Sequence, residues 1–272
     1  MNLGIVGIGY VGSAVKEIMS NYYHIETYDN KQKSTCESIS DLVNKTDMIF
    51  VCVPTPMKKD GSCDTSIVTK VVTEINSVSM ADKILIIKST VPPGTVERLN
   101  KEYTNCKVVF NPEFLTEANF IDDFKNQDRI IIGGPRPYTT KVRHMYSIAF
   151  PTAHIIKTSS IIAEMVKYMT NSFLATKVSF ANEIKMICDG LDIDYDKVQE
   201  YATLDKRLGK SHWAVPGPDG KLGFGGSCFP KDLNALIKVA EELDDVSTNV
   251  LCSVWDTNLD VRPDIEDKKN KG

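Results

Sequence analysis

The run Leu3–Val6, Gly7-Ile8-Gly9-Tyr10-Val11-Gly12 and the helical pattern through Met19 restrict this chain most. A strand, a G-x-G-x-x-G turn and a helix in direct succession open a βαβ unit that cradles a dinucleotide. Gly7 permits the tight turn, Gly9 lets a pyrophosphate approach, and Gly12 lets helix and strand pack closely. Tyr10 and Val11 belong to the same binding turn. The next strand, about His24–Tyr28, ends in Asp29, at the expected distance for a carboxylate on the adenosine ribose hydroxyls. A carboxylate there repels a 2′-phosphate, so the expected cofactor is NAD rather than NADP. An ordinary acidic turn residue is the alternative for Asp29.

Strands and helices then alternate. Asp47–Val53 reads as a buried strand ending in the rigid loop Pro54-Thr55-Pro56, and Lys58–Gly61 as a turn. Asp64 is placed to cap a helix over about Thr65–Ser77. Ile84–Lys88 is a strand topped by Ser89-Thr90-Val91-Pro92-Pro93-Gly94, and a helix containing Val96 and Leu99 follows. Lys107–Phe110 leads into Asn111-Pro112-Glu113-Phe114-Leu115-Thr116-Glu117, and Arg129–Ile132 ends at Gly133-Gly134 before a helix over Pro137–Ile148. The alternation predicts an α/β fold with a doubly wound, mostly parallel sheet over residues 1–152. Loops at the carboxyl ends of its strands converge on one crevice.

Residues 153–262 read as an all-helical domain entered through Pro151–Lys157. From Ser160 to about Asp189, Ile161, Ile162, Met165, Val166, Met169, Phe173, Leu174 and Val178 recur at helical spacing. No proline or glycine interrupts the pattern before Gly190. A helix of about 30 residues is about 45 Å long, enough to cross both halves or to form a dimer interface. Helices are also expected over about Asp196–Leu204, Pro230–Leu243 and Val246–Leu259, with a loop over Gly209–Gly220. The charged tail 263–272 has no apolar anchor and is expected to fray.

Composition sets the outer bounds. Hydrophobic residues at 42% and charged residues at 25% suit a soluble globular protein. A net charge of −4 gives no electrostatic case for nucleic acid or an anionic membrane. No apolar run approaches a membrane span, and a fingerprint this near the start leaves no room for a signal peptide. The seven cysteines are scattered without a Cys-x-x-Cys pair or a histidine cluster. That pattern argues against a metal site or a disulfide framework and for a reducing cytoplasm.

The second informative stretch is Gly223-Phe224-Gly225-Gly226-Ser227-Cys228-Phe229-Pro230-Lys231-Asp232. Pro230 reads as the first residue of a helix whose inner face is Leu233, Leu236, Ile237 and Ala240. Cys228 then precedes a helix N-terminus, with Lys231 nearby, a setting that favours a thiolate nucleophile. A glycine-rich turn with an incidental cysteine is the alternative.

This stretch, together with the opening fingerprint, resembles the active-site signature of the UDP-glucose/GDP-mannose dehydrogenases. The resemblance covers residue 3 to about 260. It implies oxidation of a nucleotide sugar's primary alcohol to a carboxylate, UDP-glucose first among the candidates, through a cysteine-bound intermediate. Cys228 resembles the nucleophile, and Asp232, about one helical turn on, the group that positions or deprotonates water. Lys167 and Asn171 resemble the pair that stabilises the developing oxyanion; a solvated helix face is the alternative for Lys167. Glu113 resembles the residue assisting thioester hydrolysis, Thr90 the hydroxyl ordering the water, and Glu117 a neighbour of the nicotinamide. A plain proline-nucleated turn could also explain Asn111–Leu115. Pro54, Thr55, Ser89 and Thr90 fall at cofactor-binding positions, and Phe114, Leu115, Phe224 and Gly225 at the sugar and uracil pocket. Arg207 resembles an arginine donated across a homodimer, although a structural ion pair fits as well.

Full-length family members carry a third, nucleotide-sugar-binding domain after the helical region, and this chain stops where that domain would start. Its tail reads as a finished end, giving a short form. Three alternatives stay open: another nucleotide sugar such as GDP-mannose or a UDP-N-acetylhexosamine, a simpler β-hydroxyacid dehydrogenase, and a non-catalytic NAD-binding paralogue.

Overall fold

The computed structural model describes residues 1–80 and 82–265. It divides into two compact units, Met1–Thr55 with Asp64–Lys167, and Pro56–Cys63 with Tyr168–Gly272. From residue 266 onward, the tail expected to fray lies outside the described residues.

The first unit is a doubly wound sheet. In chain order it contains β1 (Asn2–Val6), α1 (Tyr10–Met19), β2 (His24–Tyr28), α2 (Ile39–Lys45), β3 (Met48–Val51), α3 (Ser66–Val78) and β4 (Lys83–Ile87). There follow α4 (Thr95–Glu102), β5 (Cys106–Phe110), α5 (Phe120–Lys125), β6 (Arg129–Gly133), α6 (Tyr138–Ala149) and β7 (His154–Thr158). The seven strands lie in the order β2-β1-β3-β4-β5-β6-β7. All neighbours are parallel except β5 and β6, which meet antiparallel at Phe110 and Gly133. The chain leaves β1 for β2 on one side and returns to β3 on the other. The carboxyl end of β1 is therefore the switch point where open α/β sheets bind ligands. Near-continuous runs such as Ile84-Leu85-Ile86-Ile87 are buried on both faces, as a parallel sheet covered by helices requires. Leu42, Val72 and Leu99 from α2, α3 and α4 fill one face, and Val15, Met19 and Met145 from α1 and α6 the other.

Several expectations change. Residues 151–157, read as a lead-in to the helical region, include most of β7, a half-exposed edge strand paired with β6. The compact division accordingly falls after Lys167, not between 152 and 153. Because β6 runs against β5, its terminal Gly133-Gly134 does not join the row of carboxyl-end loops. The cap of α3 is Thr65, with Asp64 Oδ1 accepting the Ser66 N–H at 2.9 Å instead of capping the helix from the Ncap position.

The second unit is helical. It contains the remainder of α7 (Ser160–Gly190), then α8 (Tyr195–Ala202), a 3₁₀ turn at Lys206–Leu208, α9 (Phe229–Glu241) and α10 (Asn249–Val261). The long-helix pattern is realised over 31 residues. Ala175, Phe224, Leu233, Ile237 and Val254 form its central cluster. The segment Pro56–Cys63 closes on itself through a Met57–Cys63 bridge and packs Cys63 with Tyr168, Ala235 and Leu236. No helix among the described residues is long and apolar enough to cross a membrane.

Candidate active site

At the end of β1 each glycine of the fingerprint has its own geometry. Gly7 sits at φ +92°, and a Cβ there would stand 2.8 Å from the Cys52 carbonyl oxygen. A Cβ on Gly12 would come within 1.9 Å of the Gly7 carbonyl oxygen, whereas Gly9 faces open space. Gly9 caps α1 with no side-chain hydrogen bond and no acidic residue in the first turn, leaving the positive end of the helix to a ligand. Asp29 Oδ2 accepts the Ile8 N–H at 2.7 Å, and Oδ1 accepts those of Lys31 and Gln32. Burial pushes this carboxyl up, but the three N–H donors outweigh it and hold it below its usual value. Tyr10 is exposed, its ring edge-on to Phe120, and Val11 packs against the sheet core. Ser89 Oγ donates to the Val53 carbonyl at 2.6 Å, tying the loop after β4 to the exposed Pro54 and buried Thr55 after β3.

Beyond β5 the unit buries charge. Lys167 Nζ donates to the Glu113 carbonyl at 2.6 Å and to its Oε1 at 2.9 Å, with side chains 3% and 9% exposed. Burial would raise the Glu113 carboxyl, but Lys167, the Leu115 N–H and Lys88 together bring it below the usual range. Phe114 lies under two cations, with Arg129 Cζ 4.4 Å and Lys167 Nζ 5.5 Å from its ring centre. Behind Glu113, Lys88 donates to Asn111 Oδ1 at 2.9 Å, and Tyr146 donates to the same oxygen at 2.6 Å. Burial brings the Lys88 ammonium down to about 8. Sequence reasoning passed over this Lys88–Asn111–Tyr146 network; its one signal is a lysine closing an otherwise apolar strand. A cavity of about 380 Å³ opens beside it, lined by Lys88, Glu113, Phe114, Leu115 and Arg129 among others. Thr90 is buried, and Glu117 is exposed on the loop before α5.

In the helical unit, Cys228 is the N-cap of α9, so Phe229 rather than Pro230 is the first helical residue. Its carbonyl accepts the Asp232 N–H at 2.8 Å, and Ser227 Oγ lies 3.8 Å from its sulfur. Asp232 is fully buried; Oδ2 accepts from Asn171 Nδ2 at 2.6 Å and Oδ1 pairs with Lys231. Lys231, expected near the thiol, pairs its ammonium with Asp232. Lys167 and Asn171, expected as one pair, hold different partners, Glu113 and Asp232. Phe224, expected to wall a pocket, is 3% exposed within the central cluster, its ring against Phe229 and Trp255. Its backbone is gripped by Asn258, which accepts its N–H at 2.7 Å and donates to its carbonyl at 3.1 Å. Gly225 lies against the Arg262 guanidinium, where a Cβ would stand 2.4 Å from Nη2. Arg207 is 88% exposed and forks onto Asp205 of its own chain, so the ion-pair alternative is the one the fold shows.

Comparison with known proteins decides the affiliation. Residues 25–149 match the NAD binding domain of the UDP-glucose/GDP-mannose dehydrogenase family, and residues 162–260 match its central domain. The chain belongs to this family. UDP-glucose 6-dehydrogenase TuaD of Bacillus subtilis is 36% identical across 85% of this chain and 50% of its own length. The UDP-glucose 6-dehydrogenase of Rickettsia prowazekii is 31% identical across 95% of this chain and 67% of its own. A UDP-glucose dehydrogenase structure from Pyrobaculum islandicum superposes with a TM-score of 0.83 at 30% identity, covering 94% of this chain and 67% of that one. The chain thus spans about half to two thirds of the length of these relatives.

The family's cofactor fits the residues present. The open space over Gly9 and the uncapped start of α1 suit a diphosphate. The Asp29 carboxylate, ionised at neutral pH, suits ribose hydroxyls and opposes a 2′-phosphate. NAD is the cofactor that this dehydrogenase domain is built to hold.

Proposed function

We propose that the chain oxidises the primary alcohol of a nucleotide sugar to the carboxylate, UDP-glucose to UDP-glucuronate, with Cys228 as covalent carrier. The observation that carries this reading is Cys228 at the N-cap of α9, one turn from buried Asp232, in a chain with the family's NAD binding domain. The alcohol carbon loses two electrons and two protons to become an aldehyde. The Cys228 sulfur then bonds to the aldehyde carbon while its oxygen gains a proton, giving a thiohemiacetal. Loss of a second electron pair and two protons leaves a thioester. Water breaks the carbon–sulfur bond, releasing the acid and returning the thiol. NAD, when bound, would accept one electron pair as hydride, and a second NAD replacing the spent one would accept the other.

Each side chain has a task in that sequence. The Lys167 ammonium and the Asn171 amide are donors for the oxygen that becomes negative. Asp232 and Thr90 hold the attacking water, and Glu113 assists hydrolysis of the thioester. Gly7, Gly9, Tyr10, Val11 and Gly12 cradle the diphosphate, and Asp29 takes the ribose. Pro54, Thr55, Ser89 and Glu117 face the nicotinamide half. Phe114 and Leu115 contact the sugar nucleotide, while Gly225 keeps the cysteine loop close to its support.

The chain works as a homodimer in the cytoplasm. The apolar face of α7 supports the dimer: Met169 is 67% and Phe173 61% exposed. None of the seven cysteines is disulfide-bonded, which suits a reducing compartment.

Product analysis tests the substrate. With NAD and UDP-glucose, GDP-mannose or a UDP-N-acetylhexosamine offered separately, mass spectrometry should find the acid formed fastest from UDP-glucose. A chain that makes an acid from another sugar and none from UDP-glucose contradicts the assignment.

A further inference from the structure

One turn of α7 carries two buried ionisable side chains with opposite errands. Lys167 reaches Glu113 on the loop after β5. Three residues earlier, on the same helix face, the wholly buried Glu164 reaches the loop after β4. Its Oε2 accepts the Gly94 N–H at 2.7 Å and its Oε1 the Val96 N–H at 2.9 Å. Gly94 is the N-cap of α4, held at φ +92° with no side-chain cap of its own. Glu164 therefore supplies, from 70 residues downstream, the acceptors that α4 lacks locally.

The bonds bear on Thr90 because little between them can flex. Val91 is fully buried, Pro92 and Pro93 have fixed φ, and Thr95 donates to the Pro92 carbonyl from both its N–H and its hydroxyl. At the other end Ser89 is tied to Val53. The segment is pinned at both ends, and its downstream pin is a carboxylate on the turn that bears Lys167.

We infer that Glu164 is a positioning residue for the dehydrogenase reaction, holding the Thr90 loop in register with the Lys167 turn of α7. The inference rests on the roles proposed for Thr90 and Lys167. Burial pushes the Glu164 carboxyl up to about 7, against the pull of the two N–H donors. The charged group facing it is Glu97 in the first turn of α4, which raises it further; Lys167, three residues along α7, is paired with Glu113. Only the ionised carboxylate accepts both N–H groups without turning a proton toward one of them. The rate should therefore rise with pH through about 7.

The test compares wild type with Glu164→Gln, which keeps the shape but turns an NH₂ toward one backbone donor. Amide hydrogen exchange reads the anchor directly, and it does so without turnover. Gly94 and Val96 should exchange at least about tenfold faster in the variant while the strands keep their protection. With UDP-glucose, kcat should fall by about 10- to 100-fold, with KM and NAD affinity within about twofold. The limb near pH 7 should disappear. Unchanged exchange at Gly94 and Val96, or a kcat within about twofold of wild type in the folded variant, overturns the inference. If the wild type oxidises no nucleotide sugar, the proposed function fails, and the exchange rates still decide whether Glu164 fixes this loop.

Discussion

Lys167 and Glu113 form a pair that neither partner can leave cheaply. Both side chains are nearly excluded from solvent and 2.9 Å apart, so removing one strands a charge in a medium that solvates it poorly. Lys167→Met should lower unfolding stability by about 3–5 kcal/mol, measured by urea denaturation, and adding Glu113→Gln should recover part of that loss. Because the Glu113 carboxyl lies below its ordinary value, its contribution is complete above the ordinary carboxylate range and is lost as pH falls through it. Glu113→Gln should accordingly flatten the acid side of the stability curve. A Lys167→Met variant as stable as wild type would contradict this reading. The residue types at 113, 167, 171 and 232 could be read from the sequence because they fall on motif positions. Their partners could not, since spacing along one helix fixes which residues share a face but not what each long side chain reaches. Phe224 shows the same limit: flanking glycines signal an open loop, and only Asn258 and the packing of Phe229 and Trp255 turn its ring inward.

At the scale of elements, the opening strand, turn and helix separate a packing glycine from a binding glycine. Gly12 has no room for a Cβ, and Gly9 has room but faces the place where the diphosphate belongs. Gly12→Val should lose about 1–3 kcal/mol of stability through overpacking and lose NAD binding with it. Gly9→Val, at a backbone conformation open to any residue (φ −79°, ψ −162°), should keep the wild-type melting temperature. It should also weaken NAD by at least about tenfold, about 1.4 kcal/mol, in a fluorescence titration. A Gly9→Val protein that binds NAD like wild type would move the cofactor away from this turn. Strands β1 and β3 to β6 and the helix α7 were legible because their patterns are mainly apolar or long, and β2 because it follows the glycine turn and helix and ends in Asp29. The short helices α2 and α5, seven and six residues long, leave too little periodicity to read and depend on packing. Strand β7, His-Ile-Ile-Lys-Thr at a sheet edge, holds only two adjacent apolar residues, and so looks like a connector.

For the molecule as a whole, the proposed reaction oxidises a single carbon twice without the intermediate escaping. The fold class was legible from the alternation of strands and helices. The place where one unit gives way to the next was not, because α7 runs on past it without a break in pattern. Covalent capture by Cys228 is the step that distinguishes this chemistry from a simple alcohol dehydrogenation. The most direct measurement is therefore the number of NADH formed per UDP-glucose consumed, for wild type beside Cys228→Ser. About two per sugar for wild type, with the variant stalled before the acid, is the predicted result; about one per sugar, with Cys228→Ser indistinguishable from wild type, would contradict it.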